Sequence, residues 1–292
     1  MAEKPDGPTG GGREFHSAQR RGRLLARLQD RLLEDPSDAD ALSRAGGVLY
    51  EMGRFDEAGA HLGKALSCFA CPLTQQERVK SCPGGDSESS REKAAQLHYG
   101  VLVQLADCCA ASRQWRLAEA YYKSASALSP LEPRPYLCLG TLALQGNDVA
   151  EAERCFRAAV EVQGDSSEAY CGLAMACQRG GQYARAFDMY LRALELDTDN
   201  LVALLGLFQT SCEMGTFSKI IHYLEAYLQV HPEDGSVRFC LATLYAREGR
   251  LLEARRAVLK VLAEQPKEEA EQLLAEINEA LAEIEERQKA AT

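Results

Sequence analysis

From Tyr99 onward the chain repeats itself every 34 residues without a slip, with units beginning at Tyr99, Pro133, Ser167, Leu201 and Gly235. An earlier unit begins at Ala39. No other feature constrains the fold as tightly. A fixed period of this length means one supersecondary unit copied along the chain, each copy burying against its neighbours a face it cannot bury alone. Three segments show the plan: "GRFDEAGAHLGKAL" (53–66), "GQYARAFDMYLRAL" (181–194) and "GRLLEARRAVLKVL" (249–262).

Each unit reads as two helices. In the first, apolar or small residues recur at spacings of three and four, as in Tyr170, Leu173, Ala174 and Cys177, which puts them on one helical face. Gly53, Asn147, Gly181, Gly215 and Gly249 follow, residues that permit the left-handed turn ending a helix; Arg113 stands there in one unit. The second helix carries a small residue where the paired helix must come close: Ala58, Ala118, Ala152, Ala186 and Ala254, with Ile220 as the exception. Four residues later stands a larger side chain: Leu62, Tyr122, Phe156, Tyr190, Leu224 or Val258. Pro130, Pro232 and Pro266 close units just past a helix, where proline does no harm.

Length, turn, small residue, large residue and closing proline together resemble the tetratricopeptide repeat family, over about 39–72 and 99–268. The family's early Trp is replaced by Leu42, Leu102, Tyr136, Tyr170, Leu204 and Arg238. The resemblance implies an all-α, right-handed superhelical solenoid of about six helix-turn-helix units, with a leading helix and a C-terminal capping helix. The predicted organisation is a disordered tail (1–16), a basic leading helix (17–36), a first unit (39–72), an insertion or loop (73–98), five contiguous units (99–268), and an acidic capping helix and tail (269–292).

In this family the concave face is lined mainly by positions 2, 5, 9 and 12 of each first helix, and such grooves commonly receive a peptide or a helix. Carried onto this sequence, the resemblance implies a groove of Val103, Asp107, Arg134, Leu137, Thr141, Cys171, Met175, Gln178, Leu205, Gln209, Cys212, Phe239 and Thr243. Few are charged. Members that hold an acidic C-terminal tail use a Lys/Asn/Arg clamp. The first-unit positions here are Ser43 and Gly47, and later units supply no Lys, which argues against such a tail. An apolar groove with scattered hydrogen-bond formers suits an apolar segment or an amphipathic helix. The competing reading is half-buried packing between neighbouring first helices.

The net charge is −10 and the pI about 5.2, which argues against a general nucleic-acid binder. Residues 13–31 carry six arginines against two acids, and residues 264–289 carry nine glutamates against three bases. Such ends suggest a weak head-to-tail homo-oligomer, or simply two solvated faces. No apolar run approaches the ~18 residues of a membrane span. "MAEKPDGPTGGG" lacks the apolar core of a secretory signal, and the eleven cysteines are an odd number set mostly in helical patterns, so a cytoplasmic setting is predicted. The five histidines are scattered, and no phosphate-binding Gly-rich loop with its Lys and no GxSxG elbow occurs. The sequence thus predicts a non-catalytic scaffold or adaptor for protein partners, without a cofactor. The alternative is an accessory or regulatory subunit of an enzyme, secretion or organelle-building assembly.

One motif stays outside the repeat. Cys68, Cys71 and Cys82 form a CxxC pair with a third thiol at the start of the insertion. Three readings stand open: zinc ligands completed by His98 or Cys108, a reactive or redox-paired thiol, or plain helix-end and loop cysteines.

Overall fold

The computed structural model describes residues 11–70, 88–264 and 266–291. Cys71, Cys82 and residues 73–87 of the insertion lie outside them. The described residues are helical throughout, without a strand, and divide into two compact units, Met1–Leu142 and Ala143–Thr292.

Unit 1 contains α1 (Gly11–Glu34), α2 (Ala39–Glu51), α3 (Phe55–Ala70), α4 (Glu88–Ala111) and α5 (Trp115–Leu128), and ends within α6 (Pro133–Gln145). Its core joins Leu25 and Leu28 of α1 to Ala45 and Leu49 of α2, Ala58 and Leu62 of α3, and Leu105 and Cys108 of α4. Arg21 ties the leading helix down by donating to the Glu51 carbonyl at 2.9 Å. Two stretches differ from the sequence expectation. The leading helix starts at Gly11, inside the predicted tail, because extending a formed helix costs little once its nucleus exists. Residues 88–98 of the insertion are helical and run without a break into the first helix of the next unit. "ESSREKAAQL" is rich in good helix formers, whereas the breaker "PGG" lies upstream of it at 83–85.

Unit 2 contains α7 (Val149–Val162), α8 (Ser167–Arg179), α9 (Tyr183–Leu196), α10 (Leu201–Met214), α11 (Ser218–Val230), α12 (Gly235–Arg247), α13 (Leu251–Glu264) and α14 (Glu268–Ala291). Its core runs as one cluster from Cys171 and Ala174 through Tyr190, Leu204, Ile220, Leu224 and Leu241 to Ile277 of the last helix.

The local rules recur along both units. Asp38, Asp148, Ser166, Asn200 and Asp234 cap the helices that follow, each accepting a backbone N–H within the first turn. Arg113 and Asn147 adopt φ 59° at the turns where other units use glycine, so the arginine takes the left-handed conformation despite its Cβ. The small alanines Ala58, Ala118, Ala152, Ala186 and Ala254 are fully buried. Ile220, in the same register, is fully buried too, and α11 packs less closely on α10 than α8 does on α9. A branched side chain holds apart two backbones that an alanine lets meet.

Candidate partner-binding faces

In unit 2, three helices present the predicted groove positions: α8 with Cys171, Met175 and Gln178, α10 with Leu205, Gln209 and Cys212, and α12 with Phe239 and Thr243. Met175, Gln178, Leu205 and Gln209 meet in one recess of about 580 Å³, in the size range of small ligand pockets. Its other lining residues are Arg179, Tyr183, Tyr190, Val202, Gly206 and Glu213.

The floor of this recess is a hydrogen-bonded relay. The buried Tyr190 hydroxyl donates to Gln178 Oε1 at 2.7 Å, and Gln178 Nε2 donates to Gln209 Oε1 at 3.2 Å. Burial pushes the Tyr190 phenol well above its ordinary value, so it stays protonated and able to donate. The chain ends on Gln209, whose side chain is exposed and whose Nε2 hydrogens point to no protein acceptor among the described residues. Gly206 makes room for the Tyr190 ring, which a Cβ there would overlap. Met175 and Leu205 are half-buried, and Val202 is exposed. The arrangement offers apolar walls beside a free amide donor, the pair of features that hold a side chain and an adjacent carbonyl.

Other predicted positions do different work. Cys171, at 5% exposure, belongs to the core, and burial pushes its thiol up to about 12. Val103, at 4%, is likewise buried in unit 1. Both are packing residues, since neighbouring helices cover the face they share. Cys212 is half-buried with its thiol raised by burial, Phe239 packs on the core, and Thr243 donates back to the Phe239 carbonyl at 3.0 Å.

In unit 1, Asp107 and Arg134 come together: Arg134 Nη2 stands 2.7 Å from Asp107 Oδ2. The Tyr122 hydroxyl donates to the other carboxylate oxygen at 2.5 Å. Burial and then this hydrogen bond hold the Tyr122 phenol strongly above its usual range. Leu137 is half-buried, and the exposed Thr141 donates to its carbonyl at 2.9 Å. At the clamp positions Ser43 is buried against Gln104 Oε1 at 3.4 Å, and Gly47 faces the same side-chain amide.

Of the three thiols of the motif, Cys68 alone falls among the described residues. Cys68 Sγ lies 3.4 Å from the Lys64 carbonyl and 3.5 Å from the Ser37 carbonyl, as an S–H donor. His98 stacks on Phe69 with centroids 4.7 Å apart, and Cys108 is buried with its thiol pushed up to about 12 by burial first and Cys109 next. Among the described residues no group of three or more His, Cys, Asp or Glu side chains is arranged to hold a metal ion.

Reasoning on first-helix positions alone missed Tyr183 and Tyr190, which come from the second helix α9, and Glu213, one position past the stripe. The large residue in each second helix is legible as packing; that its hydroxyl reaches the groove floor shows only once Gly206 and Tyr190 are seen together.

The geometry defines a helical-hairpin repeat protein. Residues 137–200 and 221–269 match the model of the tetratricopeptide repeat. It is 27% identical over 119 residues to the peroxisomal targeting signal receptor of Eremothecium gossypii, covering 41% of this chain and 21% of that one. The chain spans between 8% and 21% of the length of the curated relatives it matches. Among solved structures, the C-terminal part of a TPR repeat-containing protein from Cytophaga hutchinsonii aligns with a TM-score of 0.62 at 14% identity, covering 89% of this chain and 99% of that one. YrrB, a TPR protein with an unusual peptide-binding site, aligns with a TM-score of 0.50 at 15% identity, over 72% of this chain and 95% of that one. At these identities the structural likenesses speak for the fold. No helix among the described residues is long and apolar enough to cross a membrane.

Proposed function

We propose that the protein is a non-catalytic interaction scaffold that binds a peptide or helical segment of a protein partner on the unit 2 face formed by α8 and α10. The supporting observation is the recess itself, which gathers Met175, Gln178, Leu205 and Gln209 around an unspent amide donor. Repeat proteins of this family bind protein partners, and the peptide-binding site named for YrrB belongs to the same fold. The same face serves equally in an accessory subunit that positions a client for an enzyme, and what the native partner is separates the two readings.

Leu205→Glu puts a charge on the apolar wall outside the core cluster, and Met175→Glu does so at a half-buried side chain that packs against its edge. Each variant should lose the partners recovered with the wild-type protein from its native cell under reducing conditions, with helical circular dichroism unchanged. Undiminished recovery would remove this face as the site.

A second reading, head-to-tail self-association, draws support from exposed Arg20, Arg23 and Arg27 on α1, none ion-paired among the described residues, and from the glutamate-rich α14. Sedimentation at low and high salt tests it: a higher-order species that dissolves in salt supports it, and a monomer throughout rejects it.

A further inference from the structure

We infer that the unit 2 recess selects a basic-apolar partner segment, one in which an apolar side chain enters between Met175, Val202 and Leu205 while a neighbouring lysine or arginine meets Glu213. This rests on the proposed binding face and specifies what it takes.

Charge is distributed unevenly along the chain. Residues 1–142 carry 18 acidic and 18 basic side chains, whereas residues 143–292 carry 25 acidic and 15 basic ones, so the whole net charge of −10 belongs to unit 2. A field of one sign over a concave surface raises the local concentration of segments of the other. The recess sharpens this. Glu213 lines it, is exposed, and makes no ion pair among the described residues. Glu168, two helical turns before Met175 on the same face of α8, is exposed and equally without an ion pair there. Arg179 also lines the recess and keeps its charge, but its guanidinium is directed to the Leu144 carbonyl, to which it donates at 2.9 Å. Glu213 and Glu168 make no ion pair among the described residues, so these carboxylates are the charges left to meet a ligand's cation. Gln209 adds an amide donor suited to a backbone carbonyl, an acceptor present at every residue of a peptide.

Selection of random 12-residue peptides displayed on phage, with the full chain immobilised, tests this. The retained pool should be enriched in Lys or Arg within a few residues of Leu, Ile, Met or Phe. On Glu213→Lys that enrichment should disappear. On Glu286→Lys, which changes net charge equally but on the exposed end of α14, it should persist, separating a local contact from general adhesion to an acidic protein. A wild-type pool enriched in Asp or Glu, or indifferent to charge, overturns the inference; if that pool is still lost on Leu205→Glu, the binding face itself stands. A basic pool that survives Glu213→Lys also overturns it. Selection that survives Leu205→Glu, or a wild-type protein that retains no peptide, overturns the face together with the inference.

Discussion

Gly206 of α10 lies directly beneath the ring of Tyr190 of α9, so closely that a single methyl group on the glycine would overlap the ring. Gly172 stands to Phe156 in the same way, one repeat earlier. The large residue of one second helix thus uses the missing side chain of the next first helix as its socket. Gly206→Ala should lower stability by about 1–3 kcal/mol through overpacking, outweighing the ~1 kcal/mol that alanine gains over glycine in a helix. Gly63 is the control: it lies within α3 with open space around it, so Gly63→Ala should raise stability by about 0.5–1 kcal/mol. Thermal unfolding midpoints moving in the same direction for both would contradict the socket.

Asp107 holds two partners of unequal worth. Tyr122 is 3% exposed, while the Arg134 side chain is 62% exposed. Asp107→Ala strips a buried hydroxyl of its acceptor and should cost about 1–3 kcal/mol. Arg134→Ala removes a solvent-screened ion pair and should cost less than about 1 kcal/mol. Tyr122→Phe combined with Asp107→Ala should cost less than the sum of the two single changes, and a double-mutant cycle by urea unfolding reads this directly.

Alkaline pH should weaken the fold from about pH 9. Burial pushes the Cys108 and Cys171 thiols up to about 12 and Cys240 to about 11, against an ordinary value near 9.0. Above that value the unfolded chain releases these protons while the folded chain keeps them. The stabilisation is therefore complete below about pH 8.5 and falls as pH rises, by about 1.4 kcal/mol per pH unit for each thiol. Cys171→Ala should show a smaller drop in urea midpoint between pH 7.5 and 9.5 than the wild type. An identical drop would remove Cys171 as a contributor. In the native protein at pH 8, Cys108 and Cys171 should react with a disulfide reagent only as fast as the structure opens.

Arg238 occupies a core-facing register of α12 with its side chain 10% exposed, and its guanidinium meets Glu264 at 2.8 Å. Removing one partner strands the other. Glu264→Ala should cost about 1–3 kcal/mol, whereas Arg238→Leu, which removes the buried charge altogether, should be neutral within about 1 kcal/mol or stabilising. Thermal melts of the two variants check the order.

The repeat was legible because its signals are local. Period, turn glycines, the small alanines and the capping Asp, Ser and Asn each act within a few residues, and together they predict the helix pairs from α2 to α13. Arg238, out of place in the sequence, makes sense only with Glu264, 26 positions away. Residues 88–98 depart from the loop that the register predicts, because a repeat register says where a unit begins, not how far its first helix extends upstream.

The sequence by itself determined the all-α repeat and the helices that carry the candidate face, since helix faces follow from spacing alone. Only the tertiary structure decided which of those positions remain open. Val103 and Cys171 share the spacing of Leu205 and Met175, yet neighbouring helices cover them. The relay from Tyr190 through Gln178 to Gln209 and the seat of the Tyr190 ring on Gly206 join residues from three helices. Their meeting depends on how closely those helices approach, a distance that packing sets and no local pattern encodes.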